Sequence, residues 1–128
     1  MTIIEFIKSS NDAFYSSGAD LEIIHKAQHE LSLTFAQDYY LYLQTFGVVT
    51  INSHELTGLA CPHHVDVINI TKLNRILDSS IPNDWYVIEQ TNIDGICAWQ
   101  DEKGIVYLKS ATSSPQKIAN SIIEYINL

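Results

Sequence analysis

The densest set of side chains able to do chemistry lies between residues 54 and 64, where His54, Cys61, His63 and His64 supply four ligands of two types that zinc accepts. Zinc, and with it a zinc-dependent hydrolase, is the sharpest chemical hypothesis. The spacing argues against it. Adjacent His63 and His64 cannot easily face one ion, Pro62 stiffens the chain between Cys61 and His63, and no standard structural or catalytic site has this pattern. The plainer reading is a polar surface loop with one buried thiol. His25 and His29 stand at i, i+4, a spacing that can grip a metal, but without a third ligand they read as a solvated helix face. Asp94-Gly95 reads as a tight turn whose aspartate serves its own backbone. There is no phosphate-binding glycine loop, nucleophile elbow or HExxH motif. No catalytic residue, metal or cofactor is therefore expected, and the chain reads as a binding protein, not an enzyme.

Charge says what such a protein could bind. Seven Lys and Arg against fifteen Asp and Glu leave a net charge of −8 across 128 residues, which argues against nucleic acid and against an anionic membrane. Tyr39, Tyr40 and Tyr42 could stack on bases, but helical spacing turns Tyr39 and Tyr42 toward a core. A basic protein partner fits better. Residues 76–102 hold Asp78, Asp84, Glu89, Asp94, Asp101 and Glu102 without one Lys or Arg, either as a solvated acidic face or as a recognition surface. Trp85 and Trp99 lie in the same stretch, as interface anchors or as core residues on the inner face of a sheet.

The elements that must position these groups can be read from caps and periodicity. Thr2 and Glu5 form a capping box for a short first helix that fades by Ser9-Ser10. Gly18-Ala19-Asp20 is a turn, and Asp20 caps a second helix with Ile24, Ala27 and Leu31 inside. Thr34 and Gln37 have capping-box spacing for a third helix, whose face is Phe35, Tyr39, Tyr42, Leu43 and Phe46 and whose stop is Gly47. Val48 to Ile51 and His54 to Leu56 read as a hairpin turning at Asn52-Ser53. Residues 57–64 form a loop, Val65 to Ile70 an extended segment, and Thr71 to Asp78 a short helix. Beyond Pro82, Trp85 to Glu89, Gly95 to Gln100 and Ile105 to Leu108 make an antiparallel meander. Ser114 and Pro115 open a final helix carrying Ile118, Ala119, Ile122, Ile123, Tyr125 and Ile126.

The length predicts a single domain over residues 1–128, large enough to bury a core without disulfides. Cys61 and Cys97 are too few for a disulfide framework and are expected reduced and buried. With neither a signal-peptide pattern at Met1 to Glu5 nor a run of 18 apolar residues, a cytoplasmic location is expected.

Taken in order, several fragments resemble the SUKH superfamily, which contains fungal cell-wall synthesis regulators and bacterial immunity proteins. They are Gly18-Ala19, Ile24, Leu31, Phe35-Ala36, Tyr39, Leu43 and Phe46-Gly47; then Glu55-Leu56, Gly58-Leu59, Val65-x-Val67 and Thr71. Tyr86 to Glu89, Asp94-Gly95, Gly104-x-Val106-Tyr107 and Ile118 to Ile126 complete the set. The chain departs from the family pattern at Ala36, Gln28 and Ile122, where Pro, Glu and Phe are usual. The resemblance implies an α+β fold, a twisted and mainly antiparallel sheet flanked by N-terminal helices and a C-terminal helix, with no catalytic residues. It also implies an immunity protein that binds and neutralises a cognate toxin, such as a nuclease or deaminase. A toxin of that kind would be basic and steered to this acidic chain. Partner contacts are expected from Glu55, Asp84, Trp85, Glu89, Asp94, Trp99, Asp101 and Glu102. A general interaction module in cell-wall or signalling assembly is the alternative.

Overall fold

A computed structural model describes residues 1–128 as an α+β fold of five α-helices and two antiparallel sheets. The capping box forms as expected. Thr2 Oγ1 accepts from the Glu5 N–H, and the Glu5 carboxylate accepts from the Thr2 N–H, each at 3.1 Å, opening α1 (Ile3–Ser9). Asp20 caps α2 (Leu21–Leu31) through the Ile23 N–H at 3.0 Å, and Ile24, Ala27 and Leu31 are buried.

The next helix starts differently from the expectation. Thr34 makes no cap, and α3 (Gln37–Thr45) begins after Ala36. The chain leading into it is held from elsewhere in the fold, where Gln28 Oε1 accepts from the Phe35 N–H and the Tyr86 hydroxyl from the Ala36 N–H, each at 2.9 Å, and in its first turn Asp38 Oδ1 accepts from the Tyr39 N–H at 2.8 Å. These contacts stand where a Thr34 cap was expected. Nor does Gly47 stop the helix, because Phe46 is already extended and opens β2 (Phe46–Ile51).

Strand β2 is the centre of a three-stranded sheet in the order β1 (Phe14–Ser17), β2, β3 (His54–Leu56). Asn52 and Ser53, with φ of 49° and 66°, turn β2 into β3 in the type I′ sense that matches strand twist. Strand β1 was not expected; its four residues are all exposed, and it joins through backbone pairing, the Tyr15 ring set edge-on to Phe46 and Ser16 Oγ accepting from the Val48 N–H at 3.0 Å. Gly47 owes its identity to crowding. A Cβ there would lie 2.5 Å from Ser16 Oγ, and a Cβ on Gly58 would lie 1.5 Å from the Gly47 carbonyl oxygen.

The extended reading of Val65 to Ile70 is also corrected. After a short 3-10 turn at His63–Val65, Asp66 Oδ1 accepts from the Ile68 and Asn69 N–H groups at 2.9 and 3.2 Å and starts α4 (Val67–Leu77). One good cap outweighs the β preference of Val67, Ile68 and Ile70. Near its other end, Arg75 donates to the carbonyls of Leu31 at 3.1 Å and Asn83 at 2.8 Å, tying α4 to α2 and to the following loop.

The expected meander forms the second sheet and gains a fourth strand: β4 (Tyr86–Gln90), β5 (Cys97–Gln100), β6 (Val106–Lys109) and β7 (Gln116–Ala119). Strand β7 replaces the first half of the expected final helix, because Lys117 and Ala119 pair with Tyr107 and Val106. Ser121, not Ser114, caps the short α5 (Ile122–Ile126). One face of this sheet joins α1, α2, α3 and α5 in the main core through Tyr86, Ile88, Ala98, Val106 and Ala119. The opposite face carries Val87, Cys97 and Trp99, which form a smaller cluster with Ile70 of α4, Ile81 and Trp85.

Two outcomes follow. Gly58→Ala should cost on the order of 3 kcal/mol or more in urea unfolding, since backbone obstructs the new methyl. Gly95→Ala, in open space with φ of 69°, should cost only about 1 to 2 kcal/mol. Burial holds the phenols of Tyr39, Tyr42, Tyr86 and Tyr125 above their ordinary pKa of 10.0. Their contribution to stability is complete below that value and is lost as pH rises past it toward their folded values. Absorbance titration should show these phenols ionising together with loss of circular dichroism above about pH 10, and early, independent ionisation would contradict the packing.

Candidate protein-interaction site

The acidic stretch between residues 76 and 102 divides into interior and surface groups. Glu89 is interior. A β-bulge between Val87 and Glu89 sets Glu89 opposite Ala98, turning its carboxylate into the junction between the two sheets. There it accepts from the Tyr125 hydroxyl at 2.5 Å and the Glu55 N–H at 2.7 Å, and lies 2.7 Å from His54 Nδ1. Asp101 is interior as well. It accepts from the N–H groups of Lys103 and Ile105 at 2.9 and 3.0 Å, and so builds the β5–β6 turn. Trp85 stacks on Tyr107, with ring centroids 4.2 Å apart and planes 13° from parallel, and Trp99 is buried in the smaller cluster. Burial first, and then the carboxylates of Asp101 and Asp84, push the Tyr107 phenol up.

Glu55, Asp94 and Glu102 are exposed and Asp84 is half-buried. None of the four pairs with Lys or Arg; the ion pairs are His54–Glu89, Lys72–Glu30 and Lys109–Asp78. The structure brings Asp94 and Trp99 together and leaves Asp84, Trp85, Asp101 and Glu102 as a second group at the far end of the sheet. Asp94 and Trp99 share a groove of about 380 Å³ between α4 and the open face of β5 and β6. Cys97 and Trp99 lie in its floor, and Leu73, Leu77 and Asp94 line its sides. Lys109 closes one end, donating to Asp78 Oδ2 at 2.5 Å and to the carbonyls of Ser110 and Ser113 at 3.0 and 2.8 Å. This contact, before the smaller one from Ser80, holds the Asp78 carboxyl below its ordinary pKa. Gln90 and Asn92 carry the surface onward to Glu55 and His64.

Sequence reasoning missed the apolar part of this surface. Leu73 is 50%, Ile76 81% and Leu77 65% exposed, and Ile93, on the β4–β5 turn across the groove, is 63% exposed. The signal was available. Val67 and Ile70 fill the inner side of α4, so Leu73, Ile76 and Leu77 at i, i+3 and i+4 form a second apolar stripe that the fold itself does not use.

The residues considered for zinc are dispersed. His54 is engaged with Glu89, and His63 and His64 are exposed on the 3-10 turn. Cys61 is half-buried, not fully buried as expected, whereas Cys97 is buried. Burial, and for Cys61 the nearby Asp66 next, raises each thiol pKa to about 11, which disfavours the thiolate a metal would need. No three His, Cys, Asp or Glu side chains converge to hold a metal ion. His25 Nε2 lies 2.9 Å from the Tyr40 hydroxyl, while Tyr39 and Tyr42 are buried in the core.

The sequence matches the SUKH_5 family, described as SMI1-KNR4 cell-wall, from residue 2 to residue 127. The chain belongs to this family. A crystal structure of a protein from Pseudomonas syringae pv. tomato superposes with a TM-score of 0.74 at 18% identity, covering 97% of this chain and 92% of that one. That likeness is one of fold. No curated protein matches the sequence. The SUKH resemblance read from scattered residues is thus a family membership, and the α+β fold is shared with a solved structure. No helix is long and apolar enough to cross a membrane.

The Glu89 junction gives a direct test of how these surfaces are held. Glu89→Leu strands the Tyr125 hydroxyl and the Glu55 N–H and should cost about 3 kcal/mol or more. Glu89→Gln keeps an acceptor oxygen and should cost roughly half as much in the same urea experiment.

Proposed function

We propose that this SUKH family protein is an immunity protein. It works in the cytoplasm by binding a basic protein toxin, such as a nuclease or deaminase, and it performs no catalysis. The observation that carries this reading is the acidity left uncompensated at the surface of a chain of net charge −8: Glu55, Asp84, Asp94 and Glu102 have no cationic partner within the fold. These four are the proposed direct contacts. Trp85, Glu89, Trp99 and Asp101 support them from beneath. Unpaired surface carboxylates raise the encounter rate with a cationic partner and discriminate against acidic ones. Nucleic acid and anionic membranes are repelled by the same field.

The description of the family as cell-wall favours one other reading, a general interaction module in cell-wall or signalling assembly. Pull-downs separate the two, since a module of that kind should recover several unrelated partners instead of one tight one. For the immunity reading, each toxin domain encoded beside this gene is co-expressed with the protein and survival is scored. Rescue from one toxin is expected. Asp94→Lys and Glu102→Lys should slow association with it about three- to tenfold at low salt, with the deficit shrinking as salt rises. If no neighbouring toxin is neutralised, the immunity reading fails. Unaltered association in both variants would leave the acidic stretch as a solvated face.

A further inference from the structure

We infer that the outer stripe of α4, together with Ile93, is the apolar anchor of the partner interface. It takes a segment of a basic protein that places an apolar side chain in the groove over Cys97 and Trp99 and a Lys or Arg against Asp94. The inference rests on the binding function proposed above and assigns that function a place and a division of labour.

Leu73 and Leu77 line the α4 wall of the groove, Ile76 continues the same exposed stripe beside it, and Ile93 is exposed on the turn between Asn92 and Asp94, which line it from the strand side. Scattered exposed leucines need no explanation, but a cluster around a groove with a tryptophan in its floor has the composition of an interface centre. Ile76 and Leu77 are so exposed that they add little to folding.

Charge selects the occupant. Asp94 is unpaired on the groove wall, and the single cation there, Lys109, is neutralised by Asp78. The other cations of α4 are occupied elsewhere. Lys72 reaches Glu30 at 3.2 Å, and Arg75 points its guanidinium at the carbonyls of Leu31 and Asn83. The groove therefore offers apolar surface with a net negative wall and no free cation. That surface accepts Lys or Arg beside an apolar side chain and repels an acidic segment. A second copy of this chain is disfavoured, because self-association would bring two chains of net charge −8 together.

Anchor and steering residues should separate in kinetics, because fully desolvated apolar contacts govern dissociation whereas peripheral charges govern encounter. Binding of the neighbouring toxin domain is measured by surface plasmon resonance with wild type and with Leu73→Ser, Ile76→Ser, Leu77→Ser and Asp94→Lys. Leu128→Ser is the control: Leu128 is 74% exposed, after α5 and away from the groove and from the four proposed contacts. At least one α4 variant should dissociate about 30-fold faster with its association rate nearly unchanged. Asp94→Lys should chiefly slow association, and Leu128→Ser should alter neither rate. Thermal melting confirms that each variant is folded, and hydrogen exchange of the wild-type complex should show new protection over residues 67–77.

If wild type binds no neighbouring toxin, the proposed function falls and the anchor with it. If wild type binds and the α4 variants dissociate at its rate, the anchor is overturned while the function stands. A larger loss from Leu128→Ser, or no added protection on α4, likewise overturns it. Sedimentation of the free protein as a dimer that Leu77→Ser dissolves would show a second copy on this face and would also overturn it.

Discussion

The two sheets share no ladder, so the governing constraint is how β3 and β4 lie side by side without leaving buried backbone groups unpaired. Thr57 does most of this. Its N–H donates to the Ile88 carbonyl at 2.9 Å and its hydroxyl to the Val87 carbonyl at 2.8 Å. The Tyr42 hydroxyl donates to the Thr57 carbonyl at 2.9 Å, and Tyr39, whose hydroxyl lies 2.8 Å from Thr57 Oγ1, supplies the remaining proton. From the opposite side, Thr71 of α4 accepts the Val87 N–H at 3.1 Å. The polar atoms named here are thus paired by one backbone bond and several side-chain bonds, which matters because an unpaired buried group costs about 1 to 3 kcal/mol. Helices α3 and α4 and strand β3 are all placed by one short edge of β4.

That junction leaves the second sheet with two unlike faces. On the core side a chain of polar contacts closes the packing. The Tyr86 hydroxyl donates to Gln100 at 2.6 Å, Gln100 donates to Asp38 at 3.0 Å, and Asp38 accepts from the Ile122 N–H at the start of α5 at 3.0 Å. The other face is only partly covered, because a single helix crosses it. The grooved face and the folding core are therefore separated by one layer of β-structure. The acids follow the same division, with Glu89 and Asp101 consumed in construction and Asp94 and Glu102 left at the surface.

What the sequence revealed depended on whether the cause was local. The capping box at Thr2 and Glu5, the Asp20 cap and the Asn52-Ser53 turn involve neighbours in the chain and were legible. The start of α3 was misplaced because Phe35 and Ala36, ahead of it, are held by Gln28 and by the distant Tyr86 and not by a Thr34 cap. Strand β1 has no buried face to leave a pattern, and β7 merged with the apolar rhythm of α5. At the site, the unpaired Asp94 followed from composition, whereas the burial of Glu89 required a bulge that alternation cannot announce. Trp85 and Trp99, left open between anchor and core, are packed inside, and Trp99 lies where the groove reaches it.

Helix α4 is fastened at both ends, by the Asp66 cap at its start and by Arg75 and the Asp78–Lys109 contact at its finish. Its backbone therefore has little freedom left to surrender. When a ligand settles on such an element, the entropic toll falls on exposed side chains and on rigid-body motion, not on folding the platform. The helix is preorganised, so variation in its outward residues could retune partner choice while its inward residues keep the scaffold unchanged.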